Sequence, residues 1–192
     1  MKTGKIEGSD RTAESLLGLG HDVVDVAGFA AQLGEPGSRM RGLFSARELR
    51  QAALRAKAKH DDEATHLAAR WAGKEAVLKA WCEALGERPN PYTLDDFPWT
   101  SIEILDDSRS RPHVVLGPAC EATLRDSLGL GGGADSGGDA QTDAGNGNGN
   151  GNGYGKTNSG DDVDGDALRW HISLSHDGPV ASAVVALVAL AR

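Results

Sequence analysis

No apolar run in the 192 residues reaches the roughly 18 that a membrane-spanning helix needs. The longest stretch, Val180 to Ala191, is shorter and is interrupted by Ser182. Lys2 and Lys5 are followed by no apolar segment, so no secretory signal is expected and the cytoplasm is the expected compartment. Only two cysteines occur, Cys82 and Cys120, far apart and at no zinc-binding spacing. Neither a disulfide scaffold nor a cysteine-based metal site is therefore expected. Several catalytic signatures are also missing. There is no P-loop, and Gly18-Leu19-Gly20 lacks the G-x-x-G continuation of a dinucleotide fingerprint. No G-x-S-x-G elbow occurs. Ser175, His176 and Asp177 cannot form a hydrolase relay, because adjacent strand residues point to opposite faces.

Charge is unevenly spread. The net charge of −8 argues against a nucleic-acid partner. Most of it lies in residues 131–166, which hold seven Asp against one Lys and 13 of the 26 glycines. This segment, with its alternating Asn-Gly tract from Gly145 to Gly153, has almost nothing apolar to bury. A flexible, solvated insertion is expected there. Residues 1–15 read as a loose polar extension, and residues 16–192 as a single domain that the insertion interrupts.

The body mixes strand and helix signals. Leu19 to Val26 reads as a strand, with Asp25 placed to cap a helix through Leu33. Ser45 followed by Glu48 is a capping box that opens a helix from Ala46 to about Lys59. Asp61 and Asp62 open the longest helix, which runs to about Leu85 before Gly86. Thr100 to Leu105 and His113 to Leu116 read as strands around a polar turn, and Pro118 starts a further helix. Trp170 to His176 and Val180 to Leu190 read as a hairpin around Asp177-Gly178. Mixed elements with at least two hairpins predict an α+β fold.

Three places invite chemistry. On the long helix Leu67, Trp71, Leu78, Cys82 and Leu85 form an apolar stripe at 100° per residue, and Glu75 sits at its margin one turn from Lys79. Such a carboxylate suits a metal ligand or a general base, though the helix alone favours a solvated Glu–Lys pair at i,i+4. In the first strand Asp22 shares a face with Val24 and Val26. A carboxylate there needs a partner or a cation, unless it caps the following turn, for which Asp25 is better placed. Gly20, just before it, leaves room for another group to approach. Third, Ser173-Leu174-Ser175-His176 offers a phosphate or nucleotide contact, or simply a hydrogen-bonded histidine at a strand end.

Together these segments resemble one family. Gly20-His21-Asp22 is similar to its opening Gly-x-Asp strand, and Phe44-Ser45-x-x-Glu48 to the start of its second helix. Arg70-Trp71-Ala72-Gly73-Lys74-Glu75-Ala76-Val77-Leu78-Lys79-Ala80 resembles its signature helix, and Ser173-Leu174-Ser175-His176 its closing Ser-x-Ser-His strand. The family is that of the holo-[acyl-carrier-protein] synthases, the small 4′-phosphopantetheinyl transferases, whose fold is mainly antiparallel sheet with a long signature helix. The sequence departs from the pattern at His21, at Asp177, at Ser110-Arg111-Pro112 and in the insertion.

The resemblance implies transfer of phosphopantetheine from coenzyme A to a serine of an acyl carrier protein of fatty-acid synthesis, with release of adenosine 3′,5′-bisphosphate. It implies a Mg²⁺ ion held by Asp22 and Glu75, Glu75 as the base, and Lys79 on a phosphate oxygen. Ser175 and His176 would touch the nucleotide. Arg39 and Arg41, with Arg47 and Arg50 on the next helix, would meet the acidic carrier; an ordinary solvated face fits these arginines too. A homotrimer with active sites between subunits is also implied. Two other functions stand beside it: a Mg²⁺-dependent nucleotide pyrophosphate hydrolase that uses the same carboxylates with water as the nucleophile, and a non-catalytic module that docks a carrier, against which an intact Asp22, Glu75 and Lys79 set counts.

Overall fold

The computed structural model describes residues 14–130 and 167–190. The insertion at 131–166 and the extension up to residue 13 lie outside the described residues.

The chain opens with strand β1 (Glu14–Asp25), which begins two residues earlier than the body inferred from sequence. The Asp25 side chain then caps helix α1 (Val26–Gly34) by accepting from the Gly28 amide. A 3₁₀ turn (Met40–Leu43) leads into α2 (Ala46–Lys59), where the expected capping box forms. The Glu48 amide donates to the Ser45 hydroxyl and the Ser45 amide to the Glu48 carboxylate. Helix α3 (Glu63–Leu85) follows. Asp62 holds its N-cap position without a side-chain bond to the helix, while the Asp61 carboxylate is turned to His66 instead.

Strands β2 (Ile102–Asp106) and β3 (Pro112–Leu116) form an antiparallel pair, followed by α4 (Pro118–Ser127). The last hairpin is β4 (Leu168–Asp177) and β5 (Val180–Leu190), and β1 joins it to give the antiparallel order β1-β5-β4. The sequence places the hairpin turn at Asp177-Gly178. The structure shifts it by one residue: Asp177 pairs with Val180, so Gly178 and Pro179 form the loop. Gly178 takes φ 55, and a proline ring fixed near −65° fits only the second loop position, where a negative φ is wanted.

Helix α3 lies on one face of the three-stranded sheet and forms the axis of the main core. The expected stripe is buried only at its ends, Leu67 and Leu85, and the deepest face between them is a different one. Ala72, Ala76, Val77 and Ala80 are fully enclosed, whereas Trp71, Leu78 and Cys82 remain partly exposed. Alanine makes the face that matters here because it lets backbone reach backbone. A Cβ on Gly18 would run into the Ala80 carbonyl, and one on Gly20 into the Ala76 carbonyl. The group that Gly20 makes room for is thus the signature helix itself. A second cluster, around Phe29, Phe44, Leu67 and Ala68, packs α1 and α2 against the first half of α3. Among the described residues no helix is long and apolar enough to cross a membrane.

Candidate active site

Two glycines seat β1 against α3, and that contact brings Asp22 to the helix. Asp22 is 9% exposed and faces the same way as Gly20. One carboxylate oxygen, Oδ1, accepts from Lys79 Nζ at 2.7 Å; the same ammonium also donates to the His21 carbonyl at 3.0 Å. The other oxygen, Oδ2, is buried and has no donor among the described residues other than a proton on the neighbouring Glu75 carboxyl. Glu75, one turn before Lys79 and half-buried, is the neighbouring carboxyl. Its pKa is pushed up to about 7, first by burial, then by a hydrogen bond and charge repulsion from Asp22, with Lys79 pulling the other way. Two carboxyls held against each other, one of them with an unpaired buried oxygen, form a site short of positive charge.

The donor set fits Mg²⁺. That ion keeps several waters and takes one or two protein carboxylates beside substrate phosphates. Among the described residues no group of three or more His, Cys, Asp or Glu side chains is placed to hold a metal. Asp22 and Glu75 are the two carboxylates that would hold it.

A different cluster lies around His176. On the helical wheel of α3, His66 and Glu75 are about 180° apart, so they point to opposite flanks. On the His66 flank a cavity of about 150 Å³ is lined by Arg55, Lys59, Arg70, His176 and Asp106, among others. Lys59 Nζ lies 3.4 Å from His176 Nε2, and the His66 and His176 rings meet edge to face at 5.7 Å. Burial, Lys59 and His66 hold His176 below its ordinary pKa, against the weaker pull of Asp61 and Asp177. Arg70 is 4% exposed. It donates to Asp106 at 3.0 Å and to the His66 carbonyl at 3.2 Å, yet its Nε has no partner. This buried guanidinium wall suits an anion.

The site residues expected from sequence are therefore divided between two places. Asp22, Glu75 and Lys79 come together, and His176 stands across the helix from them. Ser175 shares neither place: it lies on the opposite face of β4 from His176, paired in register with Ser182, so within one chain it does not reach the cationic cavity. Of the arginines expected to meet a carrier, Arg41 is bound to Glu63 at 2.6 Å, while Arg39 is exposed at the start of the 3₁₀ turn. Arg47, on α2, grips Glu103 through both guanidinium arms. Sequence reasoning missed Arg55, Lys59, His66 and Arg70. His66 and Arg70 lie at i,i+4 on the long helix and were the available signal.

Comparisons with known proteins bear on family and fold. The profile of the 4′-phosphopantetheinyl transferase superfamily matches residues 18–129. The chain is 49% identical over 179 residues to a holo-[acyl-carrier-protein] synthase of Bifidobacterium adolescentis, spanning 90% of this chain and 99% of that one. A Corynebacterium glutamicum holo-[acyl-carrier-protein] synthase is 37% identical over 114 residues, 59% of this chain and 82% of that one. Among solved structures, the Chronobacterium ammoniagenes ACPS-CoA complex aligns with a TM-score of 0.64 at 29% identity, covering 94% of this chain and 99% of that one. On sequence and on fold alike, the chain belongs to the holo-[acyl-carrier-protein] synthase family of the 4′-phosphopantetheinyl transferase superfamily.

Proposed function

We infer that this chain transfers the 4′-phosphopantetheine group of coenzyme A to a serine hydroxyl of an acyl carrier protein and releases adenosine 3′,5′-bisphosphate. The hydroxyl oxygen bonds to the phosphorus nearer the pantetheine. The bridging oxygen of the diphosphate leaves with the nucleotide. Asp22 and Glu75 would hold one Mg²⁺, which supplies positive charge to the diphosphate as the leaving group departs.

The observation that carries this reading is the Asp22 and Glu75 pair, with its unpaired Oδ2 and with Lys79 on the other oxygen. Glu75 accepts the serine proton, a role typically worth ~10²–10⁴-fold in rate. Lys79, whose side chain is 54% exposed, swings from Asp22 to a phosphate oxygen as a compact point charge. The cavity of Arg55, Lys59, His66, Arg70 and His176 takes the anionic nucleotide end of coenzyme A. Arg39 and Arg41 meet the acidic carrier.

The two clusters lie on opposite flanks of α3, and of the carboxylate pair Glu75 is only half-buried. Both facts favour a substrate held between copies of the chain. The sheet face turned away from α3 supports this. Leu19 and Val23 of β1 and Val184 of β5 are 50%, 55% and 44% exposed there. A sheet face of that character wants a cover, and a homotrimer supplies one. The test is intact-mass spectrometry of an apo carrier incubated with coenzyme A, Mg²⁺ and the protein. A gain of one phosphopantetheine confirms transfer. Release of bisphosphate without carrier modification would instead mark a hydrolase.

A further inference from the structure

Lys74 precedes Glu75 on α3, yet it faces away from the carboxylate pair and no solvent reaches it. Its ammonium is enclosed by acceptors. Glu48 Oε2 lies at 2.9 Å and the Trp99 carbonyl at 2.6 Å, and the Ile102 carbonyl accepts the third proton. The Phe44 ring closes the cage with its centroid 5.5 Å from Nζ. All three ammonium protons are thereby used. Glu48, also without solvent contact, takes the Ser45 amide on one oxygen and the Ile104 amide on the other. A single buried ion pair thus ties together the start of α2, the turn before β2, the first residues of β2 and the middle of α3.

We propose that Lys74, locked by Glu48, is a positioning residue for Glu75: the cage fixes the rotation of α3 about its own axis, and so fixes where the catalytic carboxylate meets Asp22. The inference rests on the catalytic reading of Glu75 given above. Its physical basis is that α3 is clamped from two sides. Gly18 and Gly20 set the distance of β1, and hence of Asp22, from the helix. They do little to stop the helix turning, because the surface they touch is a row of alanines. The Lys74 cage opposes turning, because any rotation pulls an ammonium out of three bonds with no water to replace them. Glu75 follows Lys74 by about 100° around the helix, so its direction is set as soon as that of Lys74 is.

The test compares steady-state kinetics of the full chain with those of a double variant, Lys74→Met with Glu48→Gln. This variant replaces the charges by groups of similar shape, and such replacements of buried pairs often keep a fold intact. The expected result is a folded protein whose kcat falls about tenfold or more, while the KM for coenzyme A stays within about twofold. In a Glu75→Asp background the same double change is expected to cost under about twofold, because the group being aimed is already displaced. Leu124→Ala, in the α4 packing far from the cage, serves as the control. It is expected to lower the melting temperature with kcat unchanged. A kcat within about twofold of wild type in the folded double variant, or an equal loss in both backgrounds, overturns the inference. If the double variant does not fold, Glu48→Gln alone decides: a kcat loss of about threefold or more at unchanged KM supports the role, and an unchanged kcat overturns it. Near-wild-type turnover by Glu75→Gln would instead sink the catalytic reading itself, whatever the Lys74 variants do.

Discussion

The two flanks of α3 differ in what they lack. On the β1 side Asp22 and Glu75 face each other with one buried oxygen unpaired, and only Lys79 to offset their charge. On the β4 side Arg55, Lys59, Arg70, His66 and His176 line one cavity in which Arg55 and Arg70 hold Asp106, and it is a donor, Arg70 Nε, that is left unpaired. One flank needs a cation and the other an anion. A metal–diphosphate complex with a phosphorylated nucleotide attached supplies both. The same helix can present such opposite surfaces because its sheet-facing side is alanine. The sheet packs close, and the polar residues on either flank emerge beside it rather than beneath it.

The sharpest way to break the comparison is to remove the carboxylate flank. Asp22→Ala or Glu75→Ala is expected to lower kcat about a thousandfold or more, since the first removes a metal ligand and the second removes a metal ligand and the base together. The melting temperature should hold or rise in Asp22→Ala, because the buried unpaired oxygen goes with it. Turnover of either variant near the wild-type rate at ordinary Mg²⁺ would remove the metal assignment. The cationic flank should respond differently. Arg70→Met or His176→Ala is expected to raise the KM for coenzyme A about tenfold with a smaller change in kcat, as for a contact made equally in ground and transition states. Equal losses in kcat on both flanks would mean that the division between them is wrong.

Stability against pH separates the flanks without substrate. Glu75 ordinarily ionises near 4.5 and in the fold near 7. Between those values the native state holds a proton that the unfolded chain has released, so stability falls as pH rises through that window. Discounted for the solvent that reaches this half-buried group, the loss is roughly 1–2 kcal/mol. Melting curves in EDTA from pH 5 to 8 should show the decline. Glu75→Gln should flatten it, and excess Mg²⁺ should reverse it at the upper end. A decline of the same size in Glu75→Gln would place its origin elsewhere.

Much of the fold was legible because local rules sufficed. The Ser45–Glu48 box and the helix from Ala46 to Lys59 form where the sequence places them. Asp22 was legible for a subtler reason: a carboxylate on the valine side of a strand has no cheap structural role. What could not be read were features that depend on what lies opposite. The core face of α3 is alanine, which carries little hydrophobic signal and acquires its importance only when Gly18 and Gly20 face it. Arg70 and Lys74 look like surface residues in the sequence, because charged side chains are rarely buried without partners. Their partners, Asp106 and Glu48, are 36 and 26 residues away. The Gly178-Pro179 loop was misplaced by one residue because Asp-Gly is the stronger local signal, while the proline settles which loop position the glycine takes.

The smallest effect sharpens the cationic flank. In the free protein burial, Lys59 and His66 hold His176 below its ordinary pKa, opposed by Asp61 and Asp177. A phosphate in the cavity would reverse that balance and favour the imidazolium. Binding of coenzyme A should then take up a proton, and its affinity should rise about two- to fivefold as pH falls from 7.5 to 6. Phosphate protonation, with a pKa near 6, works against this trend by lowering the charge of the ligand. The informative quantity is therefore the difference between wild type and His176→Asn, measured by calorimetry in buffers of different ionisation enthalpy. The wild type should take up a fraction of a proton more than the variant near pH 6.5. Identical proton uptake would show that the nucleotide end of coenzyme A binds away from His176 and that the cationic flank serves another purpose.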